Sequence, residues 1–153
     1  MRDGLISRSG WGQGGLVLAL VVLVASSVGV CIDDMTEANG ALLVIPGSHK
    51  GPIYDHHQDG RFCGAVTDPA FKPEHAVTVE VPAGGISIHH VRTLHGSEPN
   101  ISGATRRLLL FQYVAIDAWP MTGPGDWDGF NRTVLRGEQT NNPRLADVPI
   151  RMP

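Results

Sequence analysis

Residues 84–113 read GGISIHHVRTLHGSEPNISGATRRLLLFQY, a stretch that brings His89, His90 and His95 close in sequence to Arg106 and Arg107. A neutral imidazole is a common ligand for iron, zinc and copper, and the planar fork of an arginine matches a carboxylate. A metal ion held beside a bound carboxylate would use both groups. Spacing alone equally describes a surface histidine in a turn followed by arginines on a solvated strand end.

The elements that must position these side chains are strands. Ile86, Ile88 and His90 alternate with the period of two expected of a strand with one buried face, and residues 108–113 read as another strand. Between them HGSEPNISG is rich in Gly, Pro, Asn and Ser, the composition of a turn. Adjacent strand residues face opposite ways, so only one of His89 and His90, and only one of Arg106 and Arg107, can point into a common cavity. Upstream, AVTVEV (76–81) alternates cleanly and PAGG (82–85) turns the chain, which predicts a hairpin leading to His95.

Three segments carry a family resemblance. TLHGSEPNISGATRR resembles the distal-histidine motif of the phytanoyl-CoA dioxygenase family, DDMTEANGALLVIPGSHKG (33–51) resembles the signature preceding it, and RGEQTNNPRL (136–145) resembles the family's tail. They occur in the family's order, from about residue 28 to the end. The resemblance implies a mainly β double-stranded β-helix, the jelly-roll or cupin-like fold. It implies an iron(II)- and 2-oxoglutarate-dependent dioxygenase that uses O2 to hydroxylate a small molecule. His95 is then the third iron ligand, Arg106 the partner of the distal carboxylate of 2-oxoglutarate, and Ser97 a second contact to that cosubstrate. Arg107 is the rival to Arg106.

Family members draw their first two iron ligands from a His-x-Asp pair. His57-Gln58-Asp59 spells that pair, but it follows the acidic turn and the PGSH segment, whereas the resemblance places the pair before both. The facial triad needs all three groups to converge on one ion. The expectation is therefore a chain incomplete at its N-terminus, lacking the first two ligands and inactive alone. Two alternatives stand beside it: a non-catalytic jelly-roll module that keeps the carboxylate pocket, and a cupin-like site assembled from His57, Asp59 and His95. His49, in PGSH, reads as a polar turn residue.

At 153 residues the chain has the length of one domain, and 12 basic against 15 acidic residues give a net charge of −3, with no electrostatic footprint for nucleic acid. Nineteen glycines and 11 prolines, spread between short apolar runs, favour a β-rich domain. Cys31 and Cys63 match no zinc or redox spacing and read as buried thiols. Residues 1–27 stand apart from the family-like region 28–153. Within 16–32 lie 17 residues without a charge, which read as a signal-like stretch, a short membrane anchor or a strand-like replacement. The location is cytoplasmic if that stretch is no targeting signal, and otherwise secreted or membrane-anchored. Trp119 and Trp127 are candidates to wall a pocket or to pack.

Overall fold

The computed structural model describes residues 25–119 and 125–144. Among these are eight strands: β1 (Ala25–Cys31), β2 (Leu42–Val44), β3 (His57–Gln58), β4 (Arg61–Phe62), β5 (Val77–Val79), β6 (Ile86–His90), β7 (His95–Ser97) and β8 (Leu108–Val114). One short helix, α1 (Trp127–Arg132), follows, with Asp126 at its N-cap accepting a hydrogen bond from the Gly129 amide at 3.0 Å.

Two three-stranded antiparallel sheets form, one in the order β6-β1-β8 and the other in the order β5-β2-β7. From β1 to β2, and again from β5 through β8, each of these strands joins the sheet opposite its predecessor. This alternation is the winding of a double-stranded β-helix. It corrects the hairpin expected around residues 82–85: β5 pairs with β2 and β6 with β1, so that turn carries the chain from one sheet to the other. Gly85 allows the tight crossing, since a Cβ there would lie 2.6 Å from Val81 Cγ1 and 2.9 Å from the Pro82 carbonyl oxygen.

The strands form where apolar or small residues alternate, but the two faces of the first sheet differ. Cα register puts Val28 beside Ile88 and Phe111, and Val30 beside Ile86 and Leu109. That outer face is open, with Ile86, Ile88, Leu109 and Phe111 exposed. On the inner face Ser27 lies beside His89, and Gly29 beside Ser87 and Leu110. The small residues leave space there. A core of Cys31, Met35 and Ala41, with Leu42, Val79, Val81 and Leu108 packed on it, closes one end of the sandwich. Complete burial of Met35 is worth about 1.5–3 kcal/mol.

The acidic turn after β1 is a brace. Asn39 Nδ2 donates to the Asp34 carbonyl at 2.7 Å, and Asn39 Oδ1 accepts from the Thr36 amide at 2.9 Å. Gly40 has φ of +79°, and a Cβ there would collide with the Glu98 carbonyl oxygen, so only glycine fits. The β1 strand begins at Ala25, ahead of residue 28 where the family-like region was expected to start. Residues 16–24 lie outside the described residues, and with them the question of a targeting or anchor role; among the described residues no helix is long and apolar enough to cross a membrane. Cys63 departs from expectation. Cys31 is buried, but Cys63 is exposed because it follows the surface hairpin β3–β4, where its thiol donates to the His56 carbonyl at 3.2 Å.

Candidate active site

A cavity of about 250 Å³ lies between the inner faces of the two sheets. Ser27, Ser87 and His89 line it from the first sheet, Leu42, His95 and Ser97 from the second, and Met35 and Arg106 from the connecting segments. Three residues singled out from the sequence, His95, Ser97 and Arg106, are thus brought to one cavity. Its Leu110 side is open, Leu110 being 67% exposed.

His95 is held from behind. Its Nδ1 lies 2.8 Å from the Thr93 carbonyl, a geometry in which Nδ1–H donates and Nε2 keeps its lone pair. The PGSHKG segment grips the turn before it: Ser48 Oγ accepts from the Leu94 amide at 2.9 Å and donates to the Ile45 carbonyl at 2.6 Å, while the Ile45 amide donates to the Leu94 carbonyl at 3.0 Å. Arg92 Nη2 adds a bond to the Gly51 carbonyl at 2.7 Å. The PGSHKG segment is thus the clamp that sets the His95 strand.

The two arginines, just ahead of β8, point to opposite sides as alternation along the chain predicts. Arg107 faces out and makes a bidentate pair with Asp33, Nε to Oδ2 at 2.9 Å and Nη2 to Oδ1 at 2.8 Å. That pair holds the Asp33 carboxyl down at about 2, from an ordinary 3.8, and raises the Arg107 pKa. Arg106 faces the cavity. Its Nη1 lies 3.8 Å from Met35 Sδ, a weak acceptor, and no carboxylate pairs with it among the described residues. A cationic fork in a cavity, with a thioether as its hydrogen-bond partner among the described residues, is suited to an incoming carboxylate.

His89 is the histidine of its pair that points inward. Its ring centroid lies 5.1 Å from that of His95 at an interplanar angle of 48°. Burial, with smaller contributions from His95 and His90, pushes its pKa down to about 4, so it is neutral at neutral pH. His90 points away and packs on His49, with centroids 5.3 Å apart. The sequence allowed at most one of the two to face a cavity and did not say which; the alternation of Ser27, Gly29 and Ser87 with valine and isoleucine was the available signal, since small residues on one face mark the space.

His57 and Asp59 do not line this cavity. His57 is buried in the β3–β4 hairpin with Nδ1 2.7 Å from Asp55 Oδ1, and its ring packs edge-on to Phe62 at 5.6 Å. Asp59 is an exposed turn residue at φ of +52°. The neighbouring His56, almost fully buried, has a pKa lowered chiefly by burial. Among the described residues no three His, Cys, Asp or Glu side chains converge to hold a metal, so those present do not complete an iron triad. Trp119 and Trp127 pack on each other, edge to face at 4.4 Å, away from the cavity.

Comparison with known proteins bears on the fold and the family. The phytanoyl-CoA dioxygenase (PhyH) family model matches residues 22–108, more than half of the chain. The chain is 41% identical over 133 residues to a probable alpha-ketoglutarate-dependent hypophosphite dioxygenase of Stutzerimonas stutzeri, a match covering 83% of this chain and 46% of that protein. It is 28% identical over 90 residues to a phytanoyl-CoA dioxygenase of Arabidopsis thaliana, covering 58% of this chain and 32% of that one. Among solved structures, the non-heme monooxygenase ThoJ superposes with a TM-score of 0.62 at 28% identity, covering 73% of this chain and 42% of ThoJ. EvdO2 of Micromonospora carbonacea var. aurantiaca, complexed with 2-oxoglutarate, gives 0.55 at 28% identity, covering 78% and 51%. The chain spans about half the length, or less, of these relatives. With a mainly β jelly roll of this winding and a family match across most of its described strands, the chain belongs to the phytanoyl-CoA dioxygenase family.

Proposed function

We propose that this chain carries the cosubstrate half of an iron(II)/2-oxoglutarate-dependent dioxygenase. Arg106 pairs with the distal carboxylate of 2-oxoglutarate, Ser97 supplies a hydroxyl beside it, and His95 offers one imidazole to the metal. The observation that carries this reading is the division of the two arginines: Arg107 is occupied by Asp33 outside, while Arg106 faces the cavity shared with His95 and Ser97. Met35 and Leu42 give the carboxylate an apolar surround, where a charge-assisted pair with arginine is stronger than in water.

The substrate is a small molecule, and the size of the cavity together with the likeness to a hypophosphite dioxygenase favours a compact, polar one. Because His95 is the one family ligand among the described cavity residues, no oxidative step is assigned to these residues alone. The rival, a 2-oxoglutarate-binding module without oxidation, is favoured by the same lack of three converging ligands.

The test is an anaerobic titration with iron(II) and 2-oxoglutarate, followed by the visible charge-transfer band of the chelate and by succinate release on admitting air. The proposal expects 2-oxoglutarate to bind through Arg106, with the chelate band and succinate absent from this chain by itself; binding indifferent to iron(II) and to His95→Ala favours the module without oxidation. A band that disappears on Asp59→Ala would move the metal site to the β3–β4 hairpin and overturn this assignment.

A further inference from the structure

His95 does not face the cavity as the only imidazole. We propose that His89 and His95 together form a two-imidazole site for a divalent transition metal of the copper, nickel or zinc class, one ligand from each sheet. It rests on the cavity geometry and is independent of whether Arg106 binds 2-oxoglutarate.

The placement of the two rings is compatible with such a site. With metal–nitrogen bonds of about 2.0–2.1 Å, two imidazoles on one ion bring their ring centres to about 5 Å. The His89 and His95 centroids are 5.1 Å apart, and the 48° between their planes rules out a parallel stack. Each ring has a nitrogen free for the ion. On His95 it is Nε2, because Nδ1 is directed at the Thr93 carbonyl. On His89 it is Nδ1, a buried atom with no hydrogen-bond partner. A buried imidazole nitrogen without a partner carries a desolvation cost that coordination would remove.

His49 and His90 offer a useful contrast, since their centroids are nearly as close, at 5.3 Å. There the Arg92 amide donates to His90 Nδ1 at 3.1 Å, which occupies that lone pair and leaves Nε2 protonated in the neutral ring. The exposed His75 has no second imidazole recorded beside its ring. Of these two close pairs, the cavity pair is the one with a lone pair available on each ring. Imidazole nitrogens suit copper, nickel and zinc, and two of them with water completing the shell make a site for these ions that does not require a His-x-Asp pair.

Copper(II) is the probe, added at one equivalent to the whole chain and read by electron paramagnetic resonance, with pulsed methods counting the coordinated imidazoles, and by competition with a chelator of known affinity. The wild type is expected to show two imidazoles on one copper. His89→Ala should show one, with affinity reduced at least tenfold, and His49→Ala should match the wild type. His89→Phe keeps a ring of similar shape without nitrogen, and circular dichroism checks its fold; it must behave as His89→Ala. Two imidazoles persisting in a folded His89→Phe, or lost in His49→Ala, would overturn the assignment.

Discussion

His57-Gln58-Asp59 and His95-Gly96-Ser97 each begin a strand segment with histidine, and each puts an oxygen-bearing side chain two residues later. In the first, strand β3 pairs only with β4, the imidazole turns back onto Asp55, and Asp59 is spent on a turn with positive φ. In the second, β7 is paired into a three-stranded sheet, the imidazole is fixed from behind by a backbone carbonyl, and the facing sheet offers small residues. Ligand spelling is common to both. What separates them is whether the surrounding strands leave a space for the side chains to meet.

Breaking the cavity side should give the largest effect. Arg106→Ala is expected to weaken 2-oxoglutarate binding by about 2–5 kcal/mol, the cost of truncating one partner of a desolvated charge pair. Equilibrium dialysis reads this directly, and Arg107→Ala in the same experiment should leave affinity near that of the wild type. Met35→Ala should cost about 2–5 kcal/mol of stability for a large-to-small change at a fully buried site. It should also weaken 2-oxoglutarate binding, because its thioether is the recorded neighbour of Arg106.

The hairpin side should respond differently. His57→Ala removes a buried imidazole bonded to Asp55, and about 1–3 kcal/mol of stability should go with it in a urea titration. Binding of 2-oxoglutarate should be unchanged, so the hairpin is separated from the cavity in one pair of measurements. Gly29→Ala sharpens the same contrast from within the cavity. Its Cβ would lie 2.8 Å from Ser87 Oγ and 3.1 Å from Leu108 Cδ1, an overpacking worth about 1–3 kcal/mol. Calorimetric melting should show the loss.

The smallest effect lies outside both regions. Asp33 has its pKa depressed to about 2 by Arg107, so the folded state holds fewer protons than the unfolded chain in the range between about 2 and 3.8. Its stabilising contribution is complete above the unfolded value and is lost as pH falls through about 2. Melting temperature followed across that range should fall with acid, and less steeply in Asp33→Asn. Arg107 is exposed and Asp33 partly so, and added salt should shrink the difference.

Much of this division was legible in the sequence because it follows from strand period and turn chemistry. Alternation required that Arg106 and Arg107 part, and the Asn, Pro and Gly of residues 96–103 marked the loop between them. In that loop Asn100 Oδ1 accepts from the Ser102 amide at 3.0 Å, and Asn100 Nδ2 donates to the Ala104 carbonyl at 2.7 Å. The family motifs supplied the jelly roll. Strand pairing was not legible, because a turn such as Pro82–Gly85 serves a hairpin or a crossing between sheets equally well, and the choice depends on partners more than 30 residues away. The inward direction of His89 depended on that same pairing. Helix α1 also escaped notice, since its six residues are too few to show a helical period against the surrounding Gly and Trp.

The most direct test of the central claim follows the histidine ring signals by nuclear magnetic resonance while 2-oxoglutarate is added to the metal-free chain. The cavity account predicts that the His95 and His89 resonances shift together and saturate with the ligand, while those of His57 and His75 stay in place. A shift at His57 with His95 unmoved would contradict it and put the cosubstrate in the hairpin.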